Sequence, residues 1–591
     1  MKEKLLKHKY IWVAFLVALI PRLLFLLKTY PVSISGDELF AMWPGAKLLG
    51  RDWSGVMGNY RYYGYGFSVL WIPFMAMIKN PVILYRSMVT LMIFCQAAVA
   101  PISYHLMRKY LHVENKNLTC LLAIACSYLV TVRATYTYPE FIYDLMVWII
   151  AWILLKLITE EVQTNKKAKI IYSLALILAL TYAYTVHSRA VALWGALIVT
   201  LLLCGWIYRK ALVSIPVCLV AGIPAFLLVR VGISKTIGFL EKGQDVGVGN
   251  TSTGVSVQLL DWFKDPKSWT AWANIIIGEL NESVVLTGGI AVALVVVICI
   301  LIWRGLCRES EIVESEKKQY LPYVVIGIFC IFAIGCTIGG QSITWLGGVT
   351  LLMEQNESGD AFRAITYLRY YGAYIGPLFM VGAVYLIKYV DIMEKIKGKV
   401  LLITSLLQGY WVLVILPILC YELGCVWSYA PFSLTKGFAA ESVGLRSYLP
   451  ATVFVFAFTL VAYELFKRKK VQVLVGLLCL VLMYTYAFNG FYHERYRGEQ
   501  NYLSCQAVVE WTREEEEKGI EINKIYVEEG VVDAYELQYL LADKIVVIGT
   551  LKQTDGAYLC CDKKSIEKKI RDKATEFEID EDTYIYLWNE E

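Results

Sequence analysis

Apolar stretches close to 20 residues long recur along almost the whole of this 591-residue chain, and that limits its folds severely. A helix needs about 20 apolar residues to cross the hydrocarbon core of a bilayer. Runs near that length occupy 10–29, 82–107, 118–136, 140–158, 170–186, 190–208, 211–231, 284–303, 321–338, 364–388, 400–420, 449–466 and 471–489. Hydrophobic residues make up 58% of the chain and charged residues 18%, too apolar a balance for a soluble globular protein. The expected fold is an all-α polytopic membrane domain of about thirteen transmembrane helices. The run 67–78 is too short to span and reads as a re-entrant or interfacial helix.

The basic residues test this reading. Lys2, Lys4, Lys7 and Lys9 put the N-terminus in the cytoplasm. Thirteen crossings then bring Arg108-Lys109, Lys166-Lys167, Arg209-Lys210, Arg304 with Arg308, Lys395 to Lys399 and Lys467 to Lys470 to the same side. If 67–78 crossed as well, every later loop would change sides and the positive-inside rule would fail. The outer face then carries the loop 30–81, the turns near 137–139 and 187–189, the long loop 232–283, the segments 339–363 and 421–448, and the tail. No A-x-A-like site follows the first apolar run, so it reads as a retained helix and not a cleaved signal.

Two domains are expected: a membrane domain over 1–490 and a small outer α/β domain over 491–591. The tail is polar, with a charged helix-like run from Glu510 to Lys518 and strand-like pieces at 524–527, 544–548 and 584–588. The fifteen cysteines form no CxxC pair and no metal-ligand spacing with histidine, so packing is their default role. The net charge of +5 is spread over short loops, which is membrane topology and not a nucleic-acid footprint.

The chemistry concentrates on the outer face. Asp37 and Glu38 follow directly on the first membrane helix, and local sequence alone favours reading them as a helix cap and its first turn. Arg22 lies in the outer half of that helix, where an isolated charge is costly. Arg61 and Tyr62 close the first loop; Arg133, Glu140 and Asp144 flank one short outer turn; His187 and Arg189 occupy another; Arg369 and Tyr370 open the tenth helix. Each alone is explained by snorkelling or interhelical pairing. Together they gather carboxylates for proton abstraction and arginines for an anion at one depth, which suits a transferase.

The pieces Asp37-Glu38, Gly50-Arg51-Asp52-Trp53 and Arg61-Tyr62 resemble the first outer loop of GT-C membrane glycosyltransferases, in particular the protein O-mannosyltransferase and aminoarabinose transferase families. The resemblance extends through Arg22, the stretch Arg133 to Glu140 with Asp144, the turn His187-Ser188-Arg189, and Arg369-Tyr370-Tyr371 followed by Gly376-Pro377. One departure is specific: where aminoarabinose transferases carry a lysine-proline pair for the lipid phosphate, this chain has Tyr65 and Gly66. The resemblance implies a GT-C fold and transfer of a sugar from a polyprenyl-phosphate donor to an acceptor hydroxyl of a glycan, lipid or protein, on the outer face of a plasma membrane, with inversion. It implies Asp37 as base, Glu38 as its partner, and arginines on the phosphate. No Asp-x-Asp motif stands in the first loop, so no metal or other cofactor is implied. Two rivals stand beside this reading. One is a transporter or flippase; the other is a polysaccharide polymerase or ligase built around 232–283, with Trp262, Trp269 and Trp272.

Overall fold

The computed structural model describes residues 9–27, 29–31, 35–57, 63–129, 136–240, 262–287, 289–306, 314–355, 361, 364–365, 370–415, 417, 457–465, 467–489, 495–549, 557–560, 574–580 and 583–588. The helices are α1 (Lys9–Leu26), α2 (Ser35–Leu48), α3 (Tyr65–Met77), α4 (Pro81–Lys109), α5 (Lys116–Tyr128), α6 (Pro139–Leu157), α7 (Lys166–Val186), α8 (Val191–Tyr208), α9 (Ile215–Leu240), α10 (Pro266–Thr287), α11 (Ile290–Leu306), α12 (Glu314–Gln355), α13 (Gly372–Lys388), α14 (Val390–Tyr410), α15 (Val471–Asn489), α16 (Arg495–Glu517) and α17 (Ala534–Leu540). Seven helical stretches among the described residues are long and apolar enough to cross a membrane: Lys9–Leu26, Pro81–Lys109, Lys166–Val186, Ser188–Tyr208, Ile215–Leu240, Gln319–Gln355 and Lys395–Ile415. The chain is a mostly helical integral membrane protein with a small C-terminal sheet.

Lipid as solvent explains the faces of these helices. On α1, Trp12, Leu16, Ile20 and Leu24 recur every fourth residue and are exposed, while Ala14, Ala18 and Arg22 form the buried row. In water that stripe would be reversed; in hydrocarbon the bulky residues face outward and alanines let the backbone approach its neighbours α4 and α5. In α13 every residue from Gly372 to Leu386 is buried, so this helix is the axis around which the others pack. Asn80, Asn115 and Asn165 accept from the backbone N–H three residues on and start α4, α5 and α7, with Pro81 behind the first of these caps. A π-turn at Cys218–Gly222 interrupts α9 just before Pro224, which cannot donate to the preceding turn.

Several boundaries differ from the sequence reading. Residues 339–363 were expected to connect two helices, yet α12 continues through them to Gln355. Its 42 residues span about 60 Å, twice the thickness of a hydrocarbon core. The glycines at 339, 340, 347 and 348 made this part look like a loop. It stays helical because Leu346 and Val349 pack on Ala271 and Ile275 of α10, with Ile365, Trp411 and Ile415 completing a separate apolar cluster. The expected loop 232–283 likewise holds the end of α9 and most of α10. The tenth helix starts at Gly372, eight residues later than expected at 364.

The C-terminal unit is a five-stranded sheet of β1 (Lys524–Val527), β2 (Ile545–Ile548), β3 (Ala557–Cys560), β4 (Thr575–Asp580) and β5 (Thr583–Leu587) in the order β2-β1-β3-β5-β4. The pairs β1–β2 and β1–β3 are parallel; β3–β5 and β4–β5 are antiparallel. This unit sits on the stretch that links α1 to α4. Trp53 donates Nε1–H to the Ala542 carbonyl at 3.2 Å, and the Tyr539 hydroxyl donates to the Pro81 carbonyl at 3.4 Å. Gly55 runs against strand β2 so closely that a Cβ there would lie 2.2 Å from the Val546 oxygen.

The same stretch is pinned to the top of α7. Tyr63 forms an isolated bridge with His187, and a Cβ on Gly66 would lie 2.1 Å from Thr185 Oγ1 and 2.9 Å from its carbonyl carbon. Gly66→Val is therefore expected to destabilise the protein by roughly 2–3 kcal/mol, because neither backbone can retreat. Gly339→Ala, which meets nothing within 4 Å, is expected to be neutral or better. Thermal unfolding of the two variants in the same detergent checks the contrast.

Candidate active site

The two carboxylates of the acidic pair have different environments because neighbours on a helix point about 100° apart. Both lie in the first turn of α2. Glu38 is fully buried, and its Oε1 accepts from the Tyr85 hydroxyl at 2.6 Å, the Thr137 N–H at 2.7 Å and the Thr137 hydroxyl at 2.8 Å. A carboxylate out of water is tolerated when donors converge on it. Glu38 thereby ties α2 to α4 and to the strand-like entry into α6. Asp37 is partly exposed on the neighbouring side of the turn, beside Tyr535 of the C-terminal unit.

A second cluster starts three residues beyond Thr137. Glu140 Oε1 lies 3.7 Å from Arg189 Nη2, and both side chains are about nine-tenths buried. The Arg189 guanidinium stacks over the rings of Tyr143 at 4.9 Å and Tyr370 at 5.3 Å. Arg189 sits in the 3-10 turn Ser188–Ala190, and its N–H is accepted by His187 Nδ1 at 3.2 Å. The His187 ring packs edge-on against Tyr63 at 5.1 Å and Tyr143 at 6.5 Å. The hydroxyls of Tyr143 and Tyr374 share a hydrogen bond of 2.5 Å. The acidic pair and this cationic, aromatic cluster thus belong to one framework, joined through residues 137–140.

Arg22 lies apart from both. It is fully buried and donates to Gln96 Oε1 at 2.9 Å, the Ala18 carbonyl at 2.5 Å and the Ser127 carbonyl at 2.6 Å, with its guanidinium 4.2 Å from the Tyr128 ring centre. Asp144, also buried, has Arg22 as its charged neighbour. These two couple α1, α5 and α6 inside the bundle. Arg61, Tyr62, Arg133 and Arg369 lie outside the described residues. No group of three or more His, Cys, Asp or Glu among the described residues is placed to hold a metal ion.

Sequence reasoning missed Tyr85 and Thr137, which hold Glu38, and Tyr143 and Tyr374, which shape the Arg189 cluster; tyrosines in apolar helices carry no distinguishing signal. It also missed helix α17, which closes over the acidic pair. Tyr535 packs on Phe40 at 6.0 Å, and Tyr539 packs on Trp53 at 6.4 Å and on Tyr85 at 5.9 Å. One signal was present: Asp533 followed by Glu536 is the spacing of a helix start.

No protein-family profile matches the chain, and no curated protein matches it. Two solved structures that it resembles are of ArnT from Cupriavidus metallidurans. One is bound to undecaprenyl phosphate (13% identity, TM-score 0.48, 98% of each chain covered). The other is in the apo state (13%, 0.48, 99% of this chain and 98% of that one).

The different settings of the two carboxylates have a measurable consequence. Glu38→Ala leaves the buried Tyr85 and Thr137 donors unanswered and is expected to cost on the order of 3–5 kcal/mol, while Thr137→Val costs about 1–2 kcal/mol. Asp37→Ala is expected to stay within about 1 kcal/mol of wild type. Unfolding midpoints in nanodiscs rank the three; an Asp37→Ala loss equal to that of Glu38→Ala would refute the distinction.

Proposed function

We propose that this chain is a GT-C-type glycosyltransferase that moves a sugar from a polyprenyl-phosphate donor to an acceptor hydroxyl. The observation that carries the reading is the pairing of an accessible carboxylate, Asp37, with a rigidly anchored neighbour, Glu38, on the framework that also holds Arg189. The reaction needs a base for the acceptor proton and a cation where negative charge develops on the departing phosphate. Asp37 takes the proton. Arg189, whose guanidinium lies over the rings of Tyr143 and Tyr370, stabilises the phosphate, because a planar guanidinium matches two phosphate oxygens at once. Glu38 keeps the first turn of α2 in place. Arg61, Tyr62, Arg133 and Arg369 are proposed further contacts to donor or acceptor, and Glu140 and His187 orient Arg189. Attack opposite the leaving group inverts the anomeric carbon.

The reaction face is the one that carries the C-terminal unit, and we place it outside, with thirteen crossings and a cytoplasmic N-terminus. The basic pattern supports this: Arg108 and Lys109 close α4, whose first residue, Pro81, touches the C-terminal unit at the opposite end.

Asp37→Asn is expected to lower sugar transfer by about 10²–10⁴-fold with little change in donor affinity, as loss of a general base does. Arg189→Lys keeps the charge but not the fork, and is expected to lower transfer by on the order of 10²-fold. The assay is release of polyprenyl phosphate by purified protein offered a panel of labelled polyprenyl-phosphate sugars. Wild-type rates in both variants, or no release from any donor, would replace this reading with transport.

A further inference from the structure

Helix α10 carries the polar residues Asn274, Glu279 and Asn281, and all three are buried. A polar group out of water is stable only where a partner replaces its hydration. The Tyr410 hydroxyl donates to Asn274 Oδ1 at 2.8 Å, and the Gln408 amide donates to Asn281 Oδ1, both from α14. Gln341 of α12 donates from Nε2 to Glu279 Oε1 at 2.9 Å. These bonds fix α10 between α12 and α14. The fixed helix in turn supports the approach to α13. A Cβ on Gly278 would lie 2.3 Å from the Ile365 oxygen and 3.2 Å from its carbonyl carbon, so the two backbones touch there. One residue further on, the Glu279 backbone carbonyl accepts from the Tyr371 hydroxyl at 2.6 Å. Ile365 and Tyr371 are both fully buried. Gly278 and Glu279 thus hold positions 365 and 371, on either side of Tyr370. The Tyr370 ring centre lies 5.3 Å from the Arg189 guanidinium. Glu140 and Tyr143 reach that guanidinium from α6, and Tyr370 reaches it from just before α13.

We propose that Tyr371 is a positioning residue for Arg189: its bond to the Glu279 carbonyl, with the close contact at Gly278, seats residues 365–371 on α10 and so holds Tyr370 against the guanidinium. Tyr371 is enclosed and Gly278 faces backbone, so both act through Tyr370 and Arg189 and not on a substrate. The two contacts are of different kinds. The hydroxyl bond is a tie of fixed length to a backbone atom, and it does not depend on the side chain at 279. The glycine contact is a steric stop that sets how near the stretch comes to α10. Together they define where Tyr370 stands. The seating needs no transferase chemistry. Its consequence for catalysis rests on the transferase reading, in which Arg189 meets the departing phosphate. There, placement matters steeply: a shift of about 1 Å costs on the order of 10²-fold in rate.

The test uses the full chain in nanodiscs. Tyr371→Phe removes one hydroxyl and keeps the ring; Gly278→Ala adds one methyl against the Ile365 backbone. Hydrogen exchange without any donor reads the seating: amide protection at 370–374 is expected to fall in both variants and to hold at 137–143. With labelled polyprenyl-phosphate sugars, both variants are expected to lower kcat about tenfold and to leave the donor KM within about twofold. On an Arg189→Lys background neither is expected to lower kcat further, because a residue that acts through Arg189 has nothing left to position. Tyr410→Phe removes a hydroxyl bond to the same helix without touching 365–371, and is expected to stay within about twofold of wild type. Unchanged protection at 370–374 in both variants would overturn the seating. Full additive losses on Arg189→Lys, or a Tyr410→Phe loss equal to that of Tyr371→Phe, would overturn the link to Arg189 and make α10 a general support. Wild-type inactivity with every donor would remove the transferase reading, and the exchange result would still decide the seating.

Discussion

The hydrogen bonds that converge on Glu38 Oε1 are the constraint from which the arrangement of the site follows. A buried carboxylate is stable only where several donors replace its hydration. Here they come from α4 and from the residues just before α6, so satisfying Glu38 fixes three separate segments at once. Fixing residues 137–140 fixes Glu140, and with it the seat of Arg189. The cationic half of the site is therefore set by the same carboxylate that orients the acidic half, although Glu38 and Arg189 are 151 residues apart in sequence.

Around this core the chain solves two solvent problems. Toward lipid it turns large apolar side chains outward, as the row from Trp12 to Leu24 does, and uses alanine inward. Toward the C-terminal unit it packs as a water-soluble protein does, with aromatic edges and capped helix ends. Residues 53–57 and 63–66 lie on that boundary. Glycines at 55 and 66 let them touch a sheet strand on one side and the end of α7 on the other without displacing either. Close approach at these two glycines ties the stretch to both bodies, and so to the acidic turn that precedes it.

How much of this was legible beforehand follows from which forces are local. Twenty-residue apolar runs and basic punctuation are local, so a mostly helical membrane domain was readable. So were the short α3 and the strands at 524–527 and 545–548, within a residue or two. The extension of α12 beyond 338 was not readable, because its glycines favour a loop and only contact with α10 holds it helical. In the site, the acidic pair and the Glu140–Arg189 couple announced themselves as charges in apolar surroundings. Their holders did not: Thr137, Tyr85 and Tyr143 are ordinary residues whose role depends on partners 45 to 100 positions away.

The adjacency of Asp37 and Glu38 has its own logic. Successive residues of a helix cannot share an environment, so an acidic pair at a helix start necessarily divides into an inward and an outward member. Helix α17 packs over this turn with Tyr535 on Phe40 and Tyr539 on Trp53 and Tyr85, a contact that apolar area drives. The surroundings of Asp37 thus include Tyr535, a residue that lies nearly 500 positions further along the chain.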